Sequence, residues 1–117
     1  LEVNQLIEAM ASRFDLAQLS CHFHDTRAMG LANVYAAITA GIRKFDASIA
    51  GLGGCPFAPG ASGNVATEDV VMMLQQMGFS TGIDMALLVK AADLAIKLTG
   101  TAKGGNAKPW IENYYLN

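Results

Sequence analysis

Leu19-Ser20-Cys21-His22-Phe23-His24 is the stretch on which the fold turns. Leu19, Cys21 and Phe23 alternate with Ser20, His22 and His24. A period of two is that of an extended strand, whose successive side chains leave opposite faces. One face is apolar and needs packing, while the other presents two imidazoles. On both sides of the strand the period lengthens. Val3, Leu6, Ile7, Met10, Ala11 and Phe14 recur at helical spacing, as in an amphipathic helix. Leu31 to Ala40 forms a second, Ala-rich helix with Gly41 at its C′ position.

Further along, Lys44 to Ile49 alternates again, with Phe45, Ala47 and Ile49 against Asp46 and Ser48. Gly51 to Gly63 is a loop dense in glycine and proline, and a very short third strand ends near Asn64. Thr67 reads as the N-cap of a helix carrying Val70, Val71, Leu74 and Met77, closed by Gly78. Glu68 and Asp69 suit the positive end of that helix. Asp84 caps a last helix that buries Leu87, Leu88, Ala91, Leu94, Ala95 and Leu98 and ends at Gly100. Strands alternating with helices build parallel sheets, so the class is α/β. Residues 1–100 form the structured part. Residues 101–117 are a tail, with Thr101 to Ala107 a flexible linker and Trp110, Tyr114, Tyr115 and Leu116 an apolar end that docks on the body or on a partner.

Composition narrows the function. Of 117 residues, 52% are hydrophobic and 15% charged, which favours a packed core over disorder. The net charge is -2, and the eight Lys and Arg residues are scattered. A nucleic-acid partner is therefore not expected, since it needs a clustered basic face. No apolar run reaches the ~20 residues that span a bilayer, so no membrane partner is expected. Cys21 and Cys55 are too few for a disulfide framework and read as free thiols in a reducing compartment. The chain opens at Leu1 with a helix already in progress and no leader pattern, so it reads as part of a longer protein without a signal peptide.

His22 and His24 leave one strand face with Cα atoms about 6.5 Å apart, a spacing at which two imidazoles can share one cation. The same pattern also suits two partly exposed histidines at a strand end. Cys55 lies between Gly54 and Pro56 on the glycine-rich loop, where the backbone can approach a ligand closely. Asn64, at the end of that loop, offers an amide oxygen, although Asn also favours such turn positions for backbone reasons. Asp46 and Ser48 share a face and either line a site or fill a polar interior.

Together, His22-Phe23-His24-Asp25-Thr26, Leu31-Ala32-Asn33, Phe45-Asp46-Ala47-Ser48-Ile49-Ala50-Gly51-Leu52-Gly53-Gly54-Cys55-Pro56 and Gly60-Ala61-Ser62-Gly63-Asn64-Val65-Ala66-Thr67-Glu68-Asp69 resemble the hydroxymethylglutaryl-CoA lyase family. The resemblance runs from Leu1 to about Gly100. It implies the C-terminal portion of a (β/α)₈ TIM barrel, about strands 6–8 with their helices. Such a barrel typically needs ~250 residues, more than this chain holds. It further implies that His22, His24 and Asn64 ligate a divalent cation, Mg²⁺ or Mn²⁺. Cys55 and His22 are then the catalytic residues, and Arg27, Gly53 and Gly54 meet an acyl-CoA substrate. The reaction is a retro-Claisen cleavage in which the cation acidifies the 3-hydroxyl and Cys55 protonates the departing enolate.

Two departures qualify the resemblance. The family's fourth ligand is an aspartate in an Asp-Arg-Glu segment, which these residues lack, so the chain alone is expected to be inactive. Arg27 and Ala28 stand where the family has tyrosine and glycine after the threonine. That change points also to a relative such as citramalyl-CoA lyase. The condensing synthases of the same superfamily carry His-x-His-Asn-Asp and no loop cysteine, and they fit less well. A non-catalytic piece that assembles through its open sheet edge is a further alternative. The whole protein is expected as a homo-oligomer in the bacterial cytoplasm, or in the mitochondrial matrix of a eukaryote.

Overall fold

A computed structural model describes residues 1–54 and 63–117. Four main helices, α1 (Glu2–Ala11), α2 (Gly30–Thr39), α3 (Thr67–Gln76) and α4 (Met85–Thr99), surround two short strands, β1 (Cys21–His22) and β2 (Phe45–Asp46). The strands pair in parallel, with Cys21 opposite Phe45 and His22 opposite Asp46. A parallel pair requires a crossover, and α2 provides it. The α/β class expected from the alternation therefore holds.

The regular strands are shorter than the alternation suggests. β1 covers two of the six residues Leu19–His24, and extended pairing resumes as single bridges, His24 with Asn64 and Ser48 with Ala66. After Ser48 the chain turns sharply at Ala50, whose φ of 58° lies in the left-handed region. That turn ends the second strand before Ile49.

Packing follows the strand parity. Cys21 and Phe23 lie against a core of Ile7, Ala37 and Ile42, on the side opposite the histidines. A second core joins Val34, Ile38, Val65 and Val70. In the third, Ile111 packs with Val71, Met72, Met85, Leu88 and Val89.

Several local expectations differ. Ala66, not Thr67, is the N-cap of α3. Asp84 does cap α4, accepting from the Leu87 N–H at 3.0 Å, and Gly100 closes it at φ 66°. Leu6 on α1, Phe14 in the turn that follows it, and Leu87, Leu94 and Leu98 on α4 are exposed, because only one side of each helix meets the body among the described residues. A helical period marks an apolar face without saying what covers it.

The segment after Gly100 makes more contact than a linker would. Backbone N–H groups of Gly105, Asn106 and Ala107 donate to carboxylates of α3. A short helix α5 (Lys108–Trp110) then runs into a π-turn at Ile111–Tyr115. Lys108 is held between Asp93 at 2.6 Å and Glu112 at 2.5 Å. Its burial pulls the ammonium pKa down, but the hydrogen bonds it donates to these two carboxylates, with their charges, outweigh burial and the net direction is up.

Candidate metal centre

The site begins with the register of β1 and β2. Parallel pairing puts His22 beside Asp46 on one sheet face, and the His22 Nδ1–H donates to Asp46 Oδ1. The carboxylate thereby fixes the ring orientation and leaves Nε2 as the nitrogen open to a ligand. His24, two residues on, shares that face. Its ring centroid lies 5.0 Å from that of His22, edge to face. Two side chains predicted to converge are thus brought together.

Backbone pairing supplies the third donor. Val65 N–H donates to Phe23 O at 3.2 Å, and Asp25 N–H donates to Gly63 O at 2.9 Å. These bonds hold residues 63–65 alongside 23–25, with Asn64 opposite His24. The Asn64 Nδ2–H donates to Leu52 O at 3.0 Å. Its Oδ1 is buried and has no hydrogen-bond partner among the described residues. An acceptor left in that state costs about 1–3 kcal/mol, which makes Asn64 Oδ1 a candidate ligand atom. Two imidazoles and an orphaned amide oxygen fit a divalent cation. No three His, Cys, Asp or Glu side chains among the described residues are placed to hold a metal ion together. The third candidate donor, Asn64, is an amide and lies outside that class of side chain.

Gly53 approaches the same amide. Its φ is +96°, and a Cβ there would lie 2.7 Å from Asn64 Nδ2. Only glycine satisfies both limits. Gly54 is exposed, and a Cβ there would meet nothing within 4 Å among the described residues. Cys55, expected as the catalytic thiol, lies outside the described residues. Cys21 faces the core side, and burial pushes its thiol pKa up, as suits a packing residue. Arg27 is exposed on the turn after the histidines. The next residue, Ala28, has φ 57°, a left-handed conformation natural to the glycine that the family resemblance leads one to expect there.

Three carboxylates matter more than the sequence indicated. Asp46 is the partner of His22. Glu68, fully buried, accepts from Ala50 N–H at 3.0 Å and from Gly105 N–H at 2.9 Å. Asp69 accepts from Asn106 N–H at 2.9 Å and from Ala107 N–H at 2.8 Å. Burial raises the Asp69 pKa; the two backbone N–H groups oppose this, and the charges of Glu68 and Asp25 add to it. Residues 103–106 thereby form one wall of a cavity of about 330 Å³, with Asp25, Gly63 and Asn64 on the other. Asn64 is the candidate donor that lines this cavity.

A family model described as HMGL-like matches residues 1–95. The chain is 48% identical over 106 residues to the hydroxymethylglutaryl-CoA lyase of Pseudomonas mevalonii, which covers 91% of this chain and 35% of that protein. It is 45% identical over 92 residues to the (R)-citramalyl-CoA lyase of Chloroflexus aurantiacus, covering 79% of this chain and 29% of that one. Among solved structures, the HMG-CoA lyase of Acinetobacter baumannii in complex with coenzyme A and 3-methylmalate superposes with a TM-score of 0.86 at 42% identity, over 98% of this chain and 38% of that one. The chain spans about a third of the length of the curated relatives it matches.

Proposed function

The chain belongs to the HMGL-like family, and on that premise we propose that the complete protein is a carbon–carbon lyase cleaving hydroxymethylglutaryl-CoA to acetoacetate and acetyl-CoA. This chain then supplies about the sixth to eighth strands of a (β/α)₈ barrel with their helices. The observation that carries the reading is the buried Asn64 Oδ1, without a hydrogen-bond partner among the described residues, on the residue that bridges to His24 beside His22.

In this reading His22, His24 and Asn64 hold Mg²⁺ or Mn²⁺. A bound divalent cation supplies Lewis acidity toward the substrate's 3-hydroxyl. Asp46 keeps His22 oriented through Nδ1, so that Nε2 faces the donor set. When a general base of the complete protein takes the hydroxyl proton, a carbonyl forms at C3 and the C2–C3 bond breaks. Its electron pair stays on C2 as the enolate of acetyl-CoA. The Cys55 thiol gives C2 its proton. Arg27, Gly53 and Gly54 border the acyl-CoA. A coenzyme A complex of a 42% identical relative supports that ligand class. A reducing compartment keeps Cys55 a thiol, as the bacterial cytoplasm or the mitochondrial matrix would.

One observation favours a second substrate. Arg27 is exposed on the turn beside the histidines and offers a guanidinium to a carboxylate, and a citramalyl-CoA lyase is 45% identical. Keto-acid release from each thioester by the complete protein tests both readings. Cleavage of hydroxymethylglutaryl-CoA that stops with EDTA and returns with Mn²⁺ is expected. Preference for citramalyl-CoA selects the second reading, and cleavage of neither rejects the lyase assignment.

A further inference from the structure

Glu68 is the most buried carboxylate of the chain, yet no cation pairs with it among the described residues. Its two oxygens instead serve two backbone segments far apart in sequence. Oε2 takes the N–H of Ala50, and Oε1 takes the N–H of Gly105. Charge-assisted bonds of this kind are the strong ones, and here both are shielded from water.

The first segment leads to the metal donors. Ala50 sits at φ 58° and ψ 14°, a conformation costing an L-residue about 1–2 kcal/mol, which the Glu68 bond helps to hold. Two residues on, Leu52 O receives the Asn64 Nδ2–H. That bond sets the rotation of the amide and hence the aim of Oδ1. The second segment is the wall of the cavity, which Asp69 holds as well. A Cβ on Gly105 would collide with Asp69 Oδ1 and lie 3.2 Å from Ala66 Cβ, so the close fit needs glycine.

We propose that Glu68 is a positioning residue of the metal site, coupling the docking of residues 105–107 to the aim of Asn64 Oδ1. It rests on the metal reading given above. Docking and cation binding then form one linked equilibrium, each strengthening the other by the same factor.

The test uses the complete protein, with free Mn²⁺ followed by electron paramagnetic resonance and amide exchange by mass spectrometry. Mn²⁺ should slow exchange at residues 105–107 in the wild type. Glu68→Gln, which turns one acceptor into a donor, should weaken Mn²⁺ binding about tenfold or more, the usual effect of losing an outer partner of a ligand. Gly105→Ala should do the same from the other end, and the double variant should be no weaker than the worse single one. Where Glu68→Gln fails to fold, Gly105→Ala and the wild-type exchange decide. Unaltered Mn²⁺ affinity in folded variants, additive losses, or exchange at 105–107 that ignores Mn²⁺ each overturn the coupling while leaving the metal site standing. A wild type that binds no Mn²⁺ overturns both.

Discussion

Replacing Asn64 by alanine should invert the stability order of wild type and variant according to whether a cation is present. Without metal, the change removes the hydrogen bond to Leu52 O, worth about 1 kcal/mol. It also removes the buried Oδ1 that lacks a partner among the described residues, whose burial costs about 1–3 kcal/mol. The two roughly offset, so the metal-free variant should match the wild type or exceed it by up to about 2 kcal/mol. At a cation concentration 100 times its Kd, the wild type gains about 2.7 kcal/mol. A variant binding ~100-fold more weakly gains only about 0.4 kcal/mol at that concentration. Thermal unfolding of the complete protein with EDTA and with Mn²⁺ reads this directly, at ~2–4 °C per kcal/mol. The reasoning fails if the metal-free variant melts far below the wild type. It fails equally if Mn²⁺ raises both melting temperatures alike.

Other residues test other links. Cys55→Ser in the complete protein should lower turnover by about 10²–10⁴-fold with metal content unchanged; near-normal turnover removes Cys55 from the acid role. Ile111→Ala should cost about 2–5 kcal/mol in urea unfolding, since Ile111 has no exposed surface; a loss below about 0.5 kcal/mol would mean that the C-terminal segment does not dock. Asp69 carries a pH signature. Burial lifts its folded pKa above the ordinary 3.8, so between those two values the folded state holds a proton that the unfolded chain has released. Its contribution is therefore complete at low pH and declines as pH rises through the folded value. The stability advantage of wild type over Asp69→Asn should shrink from pH 3 to 7, and an advantage that grows would reverse the sign.

The sequence was most legible where one rule governed. Period-two alternation at Leu19–His24 placed Cys21 and Phe23 in the core and both histidines opposite. Asp84 and Gly100 marked the ends of α4 through capping chemistry alone. Legibility fell where partners are distant in sequence. Glu68 and Asp69 stand in the first turn of α3, where acidic residues ordinarily offset the helix dipole. That local reason was sufficient, and it concealed their use by backbone amides 37 and 38 residues away. Asp46 was likewise ambiguous until the parallel register set it beside His22. Helix faces failed for a related reason: the pattern at Leu87, Leu94 and Leu98 marks apolar surface that no described residue covers.

Charge decides what the 117 residues can do by themselves. Both imidazoles and the Asn64 amide are neutral donors, and a divalent cation favours at least one anionic oxygen. The nearest carboxylates are already committed. Asp46 receives the His22 Nδ1–H, and Asp25 Oδ1 receives the Gly30 N–H at 2.9 Å. Turning either inward would give up a bond that orients a ligand or begins α2. The chain alone should therefore bind Mn²⁺ weakly and cleave no thioester, even with His22, His24 and Asn64 in place. Calorimetric titration of the chain with Mn²⁺ checks this, with the complete protein as reference. Equal affinity in the two would mean that the three neutral donors suffice, or that Asp25 or Asp46 changes partner on binding, and the need for an outside carboxylate would fall.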